Sequence, residues 1–287
     1  MRTAVGGLLA IGFLVAAVPA PGHAEEAWTL VKATSFRAAA DQSARASVLT
    51  VDPSRADVRI VSVPLELGDQ ARSGDHSLRS LAWHLQATMP KRSSWVVVNG
   101  GYSSSREDIP VGLLVVDGKV YSRLSSAKGS SATLSGPSAY STYRWSGILC
   151  QDRKGGKWDI VPAASYVNRQ CYQALQAGPV LVEPGGKIGI AATEPQRSKP
   201  YSRTAVCLSD GLLKFVVVKT PTHLYPLARW LSASERSGGL GCRVALNLSG
   251  ESSSGMVQRT PSRQGLVYLG DGSFPIPSAV IIEERRR

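Results

Sequence analysis

The sequence predicts an α+β fold in which a large mixed, mostly antiparallel sheet carries two main packed helices in a single domain. Short segments of alternating or continuous apolar residues outnumber helical patterns several-fold, and Asp-Gly turns join several of them as hairpins. Regular β–α–β alternation is missing, which disfavours a doubly wound parallel sheet. No linker-like tract divides the chain after its N-terminus, so we expect one domain over residues 25–287.

Strand patterns recur along most of the chain, although residues 25–45 show no strong pattern. A two-residue turn at Asp117-Gly118 predicts a hairpin over 112–121, and Asp210-Gly211 predicts a second hairpin over 204–218. Residues 173–182 lead into a further turn at Gly185-Gly186. The other predicted strands cover 46–51, 57–64, 95–98, 131–134, 143–149, 243–248 and 278–282.

Two segments have the spacing of amphipathic helices. Residues 77–89 place apolar side chains on one helical face, with Ser77 as a suitable N-cap and Pro90 as a stop. A second helix is expected over about 224–235, where Pro226 suits the first turn and Gly238-Gly239 ends the pattern.

Composition narrows the classes of protein. Apolar residues make up 43% and charged residues 19%, which excludes a disordered chain. After the N-terminus no apolar run approaches the ~20 residues of a spanning helix, which excludes a polytopic membrane protein. The net charge of +12 is compatible with an acidic partner, but the basic residues are scattered without interleaved aromatics, so we expect no nucleic acid.

The N-terminus predicts export. Arg2 precedes an uncharged apolar segment over residues 4–19, and the small residues Gly22 and Ala24 suit cleavage before Glu25. We therefore expect a bacterial-type signal peptide over 1–24 and a periplasmic or secreted mature protein without a transmembrane segment; the alternative is an anchor that stays attached. Cleavage lowers the net charge by one, because Arg2 is the only charged residue removed.

Export changes how the four cysteines are interpreted. They lack the CxxC spacing of a zinc site, and in an oxidising compartment four cysteines suggest two disulfides. Three pairings are possible, with four free thiols as the alternative. We favour Cys150–Cys171 and Cys207–Cys242, which close the shorter loops and stay within each half of the chain.

Three strand ends break into Gly-rich or polar turns, which are candidate parts of one site: 99–102, 176–179 and 247–255. Glycines there allow positive φ and close approach of the backbone to a ligand, and successive N–H groups can bind an anion. Each turn alone is more often only a turn. Three of them, together with Arg203 at a strand start, favour a shared site.

These turns resemble the blocks of the phosphodiester glycosidase family in order and spacing, over roughly residues 90–257. The segments that carry the resemblance are Asn99-Gly100-Gly101-Tyr102, Pro110-Val111-Gly112-Leu113, Gln176-Ala177-Gly178-Pro179, Arg203-Thr204-Ala205-Val206 and Gly241-Cys242 with Ala245-Leu246-Asn247-Leu248. The resemblance implies an exported hydrolase that cleaves the glycosidic bond of a sugar-1-phosphodiester, with an anionic glycan or phosphodiester as partner and no cofactor.

The last block departs from the family, which continues as Asn-Leu-Asp-Gly-Gly-Gly-Ser-Ser. Here Ser249 replaces the acid, and Glu251 follows two positions later. A glycosidase needs a carboxylate to protonate the leaving oxygen or to stabilise an oxocarbenium-like centre. Glu251 can take over this role if it faces the same cleft. The alternative is a catalytically weakened or inactive glycan-binding protein on the same scaffold.

The predicted site combines these residues. We expect Arg203 to hold the phosphate, Tyr102 to stack on a sugar, and the Gly100, Gly101 and Gly250 amides to bind oxygens. No metal site is expected, because the acids are too scattered. Glu107 and Asp108, shortly after the first turn, are further candidate carboxylates for the site. A serine hydrolase is disfavoured, because the Ser-rich turn is not Gly-x-Ser-x-Gly and His76, His84 and His223 lack a catalytic context. The predicted catalytic residues are Glu251, Arg203 and Asn99, and the predicted substrate-binding residues are Gly100, Gly101, Tyr102, Gln176, Gly178, Asn247, Ser249, Gly250, Ser252 and Ser253.

Overall fold

The structure is a computed structural model that describes residues 27–38, 42–69, 75–103, 109–125, 145–166, 171–196, 198–261 and 265–285. The predicted signal peptide, the predicted strand at 131–134, the carboxylates of Glu107 and Asp108, and positions 143–144 of another predicted strand lie outside the described residues.

The described chain consists mainly of strands. Its three α-helices are α1 (Val63–Leu67), α2 (Leu78–Thr88) and α3 (Leu224–Ser232). Its strands are β1 (Trp28–Arg37), β2 (Ser43–Val51), β3 (Ala56–Ser62), β4 (Trp95–Asn99), β5 (Leu114–Val116), β6 (Lys119–Ser122), β7 (Gly147–Gln151), β8 (Trp158–Pro162), β9 (Gln173–Ala177), β10 (Val180–Glu183), β11 (Lys187–Ile188), β12 (Tyr201–Ser209), β13 (Leu212–Thr222), β14 (Val244–Gly250), β15 (Gly255–Arg259), β16 (Val267–Gly270) and β17 (Ser278–Glu284).

The strands form three sheets. A seven-stranded sheet has the order β1-β2-β13-β12-β14-β10-β11, and two five-stranded sheets have the orders β16-β15-β4-β17-β3 and β6-β5-β9-β7-β8. Every strand pair within the described ranges is antiparallel. The α+β fold class is confirmed, with the strands divided among three sheets rather than gathered in one.

One apolar core lies between the sheets and receives side chains from all three, among them Val98, Leu175 and Phe215. Alternate residues of the same strands face outward, where a second layer covers them. In β4, Val96 and Val98 face the central core, and Trp95 and Val97 pack beneath α2. A strand buried on both faces is apolar at every position, which explains the continuous run at 95–98.

The helices cover two outer faces of the sheets. Helix α2 begins after Ser77, whose hydroxyl accepts a hydrogen bond from the Ser80 amide at 3.2 Å, and it ends one residue before Met89. Helix α3 places Leu227 and Leu231 on the seven-stranded sheet. The prediction extended α3 too far, because Ala233 and Ser234 adopt extended backbone angles before a short 3-10 turn.

Most predicted strands are present, and both Asp-Gly hairpins are confirmed by positive φ angles at their turn residues. Two local predictions were wrong. The segment 25–45, which showed no strong pattern, contains β1 and the start of β2. The strand predicted over 57–64 ends at Ser62, because the chain turns there into helix α1 with Pro64 in its first turn.

Both favoured disulfides are present, with Cα–Cα distances of 5.7 Å, and the described residues contain no free cysteine. Cys150–Cys171 joins β7 to the residues just before β9. Cys207–Cys242 joins β12 to the segment before β14. The described helices include none that is long and apolar enough to cross a membrane.

The second disulfide spans 35 residues, so its removal should destabilise the protein through the chain entropy of the unfolded state. We expect the Cys207→Ala/Cys242→Ala double variant to lose about 3–4 kcal/mol in the free energy of unfolding. Urea denaturation followed by tryptophan fluorescence measures this loss.

The Cys150→Ala/Cys171→Ala variant is the matched control, and it should lose slightly less because its loop spans 21 residues. An unchanged urea midpoint in the first variant would contradict the stabilising role of that bond.

Candidate active site

A cavity of about 630 Å³ opens where β4 and β14 end and β12 begins. Eight of the predicted site residues line it. They come from the first and third predicted turns and from the start of β12. They are Gly101, Tyr102, Arg203, Ser249, Gly250, Glu251, Ser252 and Ser253. The other five predicted residues do not line it: Asn99, Gly100, Gln176, Gly178 and Asn247.

Asn99 lies beneath the cavity and is fully buried. Its side-chain oxygen accepts hydrogen bonds from Thr204 Oγ1 at 2.6 Å and from the Gly255 amide at 2.9 Å. Thr204 lies on β12, whereas Gly255 begins β15, so the carboxamide joins two sheets. The oxygen is therefore occupied by the scaffold, and the position supports a structural role for Asn99 rather than the catalytic role predicted for it.

Gln176 is also buried, and its carboxamide is saturated by the backbone. Its oxygen accepts from the Leu113 and Ser125 amides, and its nitrogen donates to the Ser125 and Trp145 carbonyls. Those four bonds fasten Leu113, Ser125 and Trp145 to β9. The side chain was predicted to bind sugar hydroxyls, but no hydrogen-bonding group remains for a ligand.

Tyr102, Asn247 and Gly178 form a third buried connection. Tyr102 Oη donates to the Gly178 carbonyl at 3.0 Å and accepts from Asn247 Nδ2 at 2.6 Å. Asn247 Nδ2 also donates to the Gly178 carbonyl at 3.0 Å. These hydrogen bonds bring the three predicted turns together. Of the three residues, only Tyr102 lines the cavity wall, whereas Asn247 and Gly178 do not.

The Gly100-Gly101 pair has a packing role that the sequence did not reveal. Both amides bond to Ser278, through its carbonyl and its hydroxyl respectively. A Cβ at Gly100 would lie 2.5–2.8 Å from Ser278 atoms, so glycine is needed for close approach to β17. The predicted binding of substrate oxygens by these amides is not supported, because Ser278 already occupies them.

Arg203 is the buried cation of the cavity, and the residue is only 7% exposed. Burial lowers the pKa of its guanidinium below its usual range, and the neighbouring Tyr102 and Glu194 oppose that shift. Its Nε is buried without a hydrogen-bond partner. Across the described ranges it has no ion pair, and its one ring contact is with Tyr201, 5.2 Å from the ring centroid. A buried cation without a bonded anion suits an anionic ligand.

Glu251, the acid two positions beyond Ser249, lines the same cavity as Arg203. It adopts a φ of 61°, which is uncommon for a residue with a side chain. Ser202 Oγ donates to its carbonyl at 2.8 Å, and the Ser254 amide donates at 3.0 Å, which holds this conformation. Ser249 contributes only a hydroxyl, which bonds to Ser253 Oγ.

Sequence reasoning missed a second carboxylate on the cavity wall. Glu194 is fully buried, and its oxygens accept hydrogen bonds from Ser198 Oγ and from the Tyr225 amide, at 3.1 Å for the latter. His223 Nδ1 lies 3.1 Å from Ser198 Oγ and 3.8 Å from Glu194 Oε1. A lone Glu-Pro pair in a polar stretch has no periodicity that would have marked it.

The remaining wall residues are a rim cation and an apolar group. Lys199 is exposed at the edge, and Tyr201 stacks on Arg203 from the position two residues before it, which strand alternation could have indicated. Phe274 is 44% exposed beside Pro275 and Ile276, which gives the cavity one apolar wall. Within the residues described, no group of three or more His, Cys, Asp or Glu is placed to hold a metal ion.

The fold and the cavity define an α+β protein with a polar site that contains a buried cation and two carboxylates. Comparison with protein families identifies the class more closely. The phosphodiester glycosidase family model matches residues 93–283, and the chain belongs to this family. The resemblance seen in the sequence over roughly 90–257 is confirmed, and the match extends it to β17.

Solved structures share the fold. The catalytic domain of zebrafish N-acetylglucosamine-1-phosphodiester alpha-N-acetylglucosaminidase, auto-inhibited by its pro-peptide, is 16% identical with a TM-score of 0.57. The alignment covers 92% of this chain and 86% of that one. A hypothetical protein from Synechocystis is 13% identical with a TM-score of 0.54, over 88% of this chain and 61% of that one. A comparison with proteins of curated function finds no match.

The placement of Asn99 generates a stability prediction. Asn99→Ala leaves the buried Thr204 hydroxyl and Gly255 amide without an acceptor, and each such group costs about 1–3 kcal/mol. We therefore expect a loss of about 2–6 kcal/mol in the free energy of unfolding, measured by urea denaturation.

Thr204→Val removes only one of these donors and leaves the bond from Gly255 intact, so it should cost less. If Asn99→Ala kept its full stability but lost activity, Asn99 would act on the substrate and the structural role would be wrong.

Proposed function

We propose that the protein hydrolyses the glycosidic bond of a sugar-1-phosphodiester in this cavity. The observation that carries the proposal is the buried guanidinium of Arg203, which lacks an anionic partner in the described part of the chain and lies on the cavity wall. A phosphodiester supplies one negative charge and two oxygens that match the guanidinium fork. Family membership supports the reaction class.

The leaving group explains why a missing motif acid is compatible with catalysis. Cleavage between the anomeric carbon and the bridging oxygen sends the bonding electron pair to a phosphate monoester, whose second pKa is about 6. Such a group departs without the full proton transfer that an alcohol needs. A fixed cation stabilises the charge that grows on the phosphate, and Arg203 is in place for that.

The second requirement is a base for the attacking water. Water forms the new bond to the anomeric carbon, and its proton passes to Glu251, which is exposed to solvent at the cavity edge. The products are the free sugar and the phosphate monoester. Ser249 cannot accept the proton in this way, because its hydroxyl has no basic character and is bonded to Ser253.

The proposed location is outside the cytoplasm. The two disulfides are typical of an oxidising compartment, which agrees with the signal peptide expected over 1–24 and with a periplasmic or secreted protein. An anionic glycan or sugar phosphodiester of the cell envelope is the partner that fits an exported chain with a net positive charge.

A second candidate is a protein that binds such glycans without cleaving them. The specific observation in its favour is Ser249, which places a neutral hydroxyl where the family has an acid. The two candidates share the anion site at Arg203 and differ only in turnover.

Arg203→Lys tests the anion site. Lysine keeps the charge but loses the two-pronged hydrogen bonding, so we expect the KM for a sugar-1-phosphodiester to rise about 10–100-fold. Steady-state release of reducing sugar measures this, with isothermal titration of the phosphate monoester product as a second readout. Arg243→Lys, at an exposed position before β14, is the control and should be unchanged. Equal KM values in both variants would contradict the assignment.

Glu251→Gln tests the base. A general base contributes about 10²–10⁴-fold, so we expect kcat to fall by at least about 100-fold, while KM changes little. The assay follows sugar release from UDP-sugars and simple sugar-1-phosphodiesters. Glu284→Gln, an exposed acid at the end of β17, is the matched control.

The outcomes separate the candidates. If Glu251→Gln is as active as the unaltered protein, only the role of Glu251 as the base is contradicted. No turnover by the unaltered protein over the whole panel, together with measurable glycan binding, contradicts the hydrolase and supports the binding protein.

A further inference from the structure

The apolar wall of the cavity contains an open aromatic side chain. Of the wall residues Phe274, Pro275 and Ile276, the last is buried, whereas Phe274 is 44% exposed. The described part of the chain exposes seven large apolar side chains, and Phe274 is the one that lines the cavity. Single exposed apolar residues on an outer surface are ordinary. An exposed ring on the wall of a binding cavity indicates instead which kind of group the cavity receives.

Two other aromatic residues line the cavity within the described ranges, and the scaffold uses both. Tyr102 is held by the two hydrogen bonds of its hydroxyl. Tyr201 packs against Arg203, whose guanidinium lies 5.2 Å from the ring centroid. The Phe274 ring has no ring partner and no cation partner among the described residues. Its surface is therefore available to a ligand.

Backbone contacts hold Phe274 beside the turn that carries Glu251. The Ser252 carbonyl on that turn accepts a hydrogen bond from the Phe274 amide at 3.3 Å. On the other side, Pro275 forms an isolated bridge with Ser77, the N-cap of α2. The backbone that carries the ring is thus fixed both to the active-site turn and to the start of a packed helix.

The contact with this turn selects the part of the substrate that the ring meets. In the proposed reaction Glu251 accepts the proton of the water that attacks the anomeric carbon, so its turn lies beside the sugar. Arg203 binds the phosphate, which is one bridging oxygen away from that carbon. Phe274 is held to the turn of Glu251 and therefore lies on the sugar side of the phosphate. A pyranose ring presents C–H groups on its faces, and these pack on the electron-rich face of an aromatic ring.

We propose that Phe274 forms the sugar subsite of this cavity, and that the sugar ring of the phosphodiester stacks on its side chain. The inference rests on the proposed hydrolase function. The contact is apolar and involves no change of bonding. Because it is made before the reaction and kept during it, it lowers KM without raising kcat. Arg203 and Phe274 then divide the substrate between them, one binding the phosphate and the other the sugar.

Phe274→Ala tests the subsite. The residue is exposed, so the fold should be kept. We expect KM for the UDP-sugars and simple sugar-1-phosphodiesters to rise about 10-fold, as for loss of an aromatic packing contact, with kcat within about threefold. Phe274→Tyr restores the ring and should recover most of the loss. Steady-state sugar release measures both constants, with thermal unfolding as a check of the fold. An unchanged KM in Phe274→Ala would overturn the proposal.

A second substrate separates the sugar from the other substituent of the phosphate. The methyl phosphodiester of the same sugar 1-phosphate keeps the sugar and replaces the nucleotide by a methyl group, so the rise in KM should again be about 10-fold. If the effect disappears with the methyl ester, the ring contacts the leaving group and the proposal is wrong. Trp83→Ala, at a 62% exposed position on α2 outside the cavity, is the matched control and should leave KM unchanged for both substrates.

Isothermal titration gives readouts that do not depend on turnover. Inorganic phosphate should bind Phe274→Ala as tightly as it binds the unaltered protein, and a loss of phosphate affinity would indicate a disturbed cavity and overturn the proposal. If the unaltered protein releases no sugar from any donor, the hydrolase function fails, and the same methyl phosphodiester then tests the subsite by binding alone. We expect Phe274→Ala to bind it about 10-fold more weakly. Equal affinities, or no binding by the unaltered protein, would overturn the subsite as well.

Discussion

The side-chain oxygen of Asn99 joins two of the three sheets directly beneath the cavity. It accepts one hydrogen bond from Thr204 on β12 and another from Gly255, where the chain passes from β14 into β15. Both donors are buried, so neither can turn to water if the acceptor is lost. Arg203 directly precedes Thr204, and the carboxylate-bearing turn directly precedes Gly255. The carboxamide therefore adds to the β12–β14 pairing of Arg203 with Gly250 in fixing the cation relative to the turn that carries Glu251.

This arrangement explains how an exposed acid and a buried cation can share one site. Gln176, Asn247 Nδ2 and Ser278 bind backbone groups of the scaffold beside the cavity. Glu194 and Arg203 are buried, at 0% and 7% exposure, whereas Glu251 and Lys199 are exposed at the edge. A charge held away from water acts over a longer range than the same charge at the surface. The buried charge of Arg203 therefore acts on a ligand more strongly than the exposed charge of Lys199 at the edge.

The sequence predicted those parts of the fold that depend on local chemistry. Asp117-Gly118 and Asp210-Gly211 marked their hairpins, because both residues of such turns need positive φ, and Ser77 and Pro90 marked the ends of α2. The site was harder to predict, because a polar residue at a strand end looks the same in the sequence whether it binds a ligand or a neighbouring strand. The side-chain oxygen of Asn99 and the whole carboxamide of Gln176 proved to be occupied by groups of other elements.

Glu194 and Glu251 show from opposite directions why a missing motif acid does not decide the chemistry. Glu251 occupies a left-handed conformation that costs about 1 kcal/mol or more for a residue with a side chain, yet Ser202 and Ser254 both bond to its carbonyl and hold it there. Glu194 reaches the same cavity because Tyr225, at the start of α3, anchors it. Glu251 is visible in the sequence as the acid that follows Ser249, whereas Glu194 lies outside every block. Two separate loops thus place Glu194 and Glu251 on the wall of the cavity that contains Arg203.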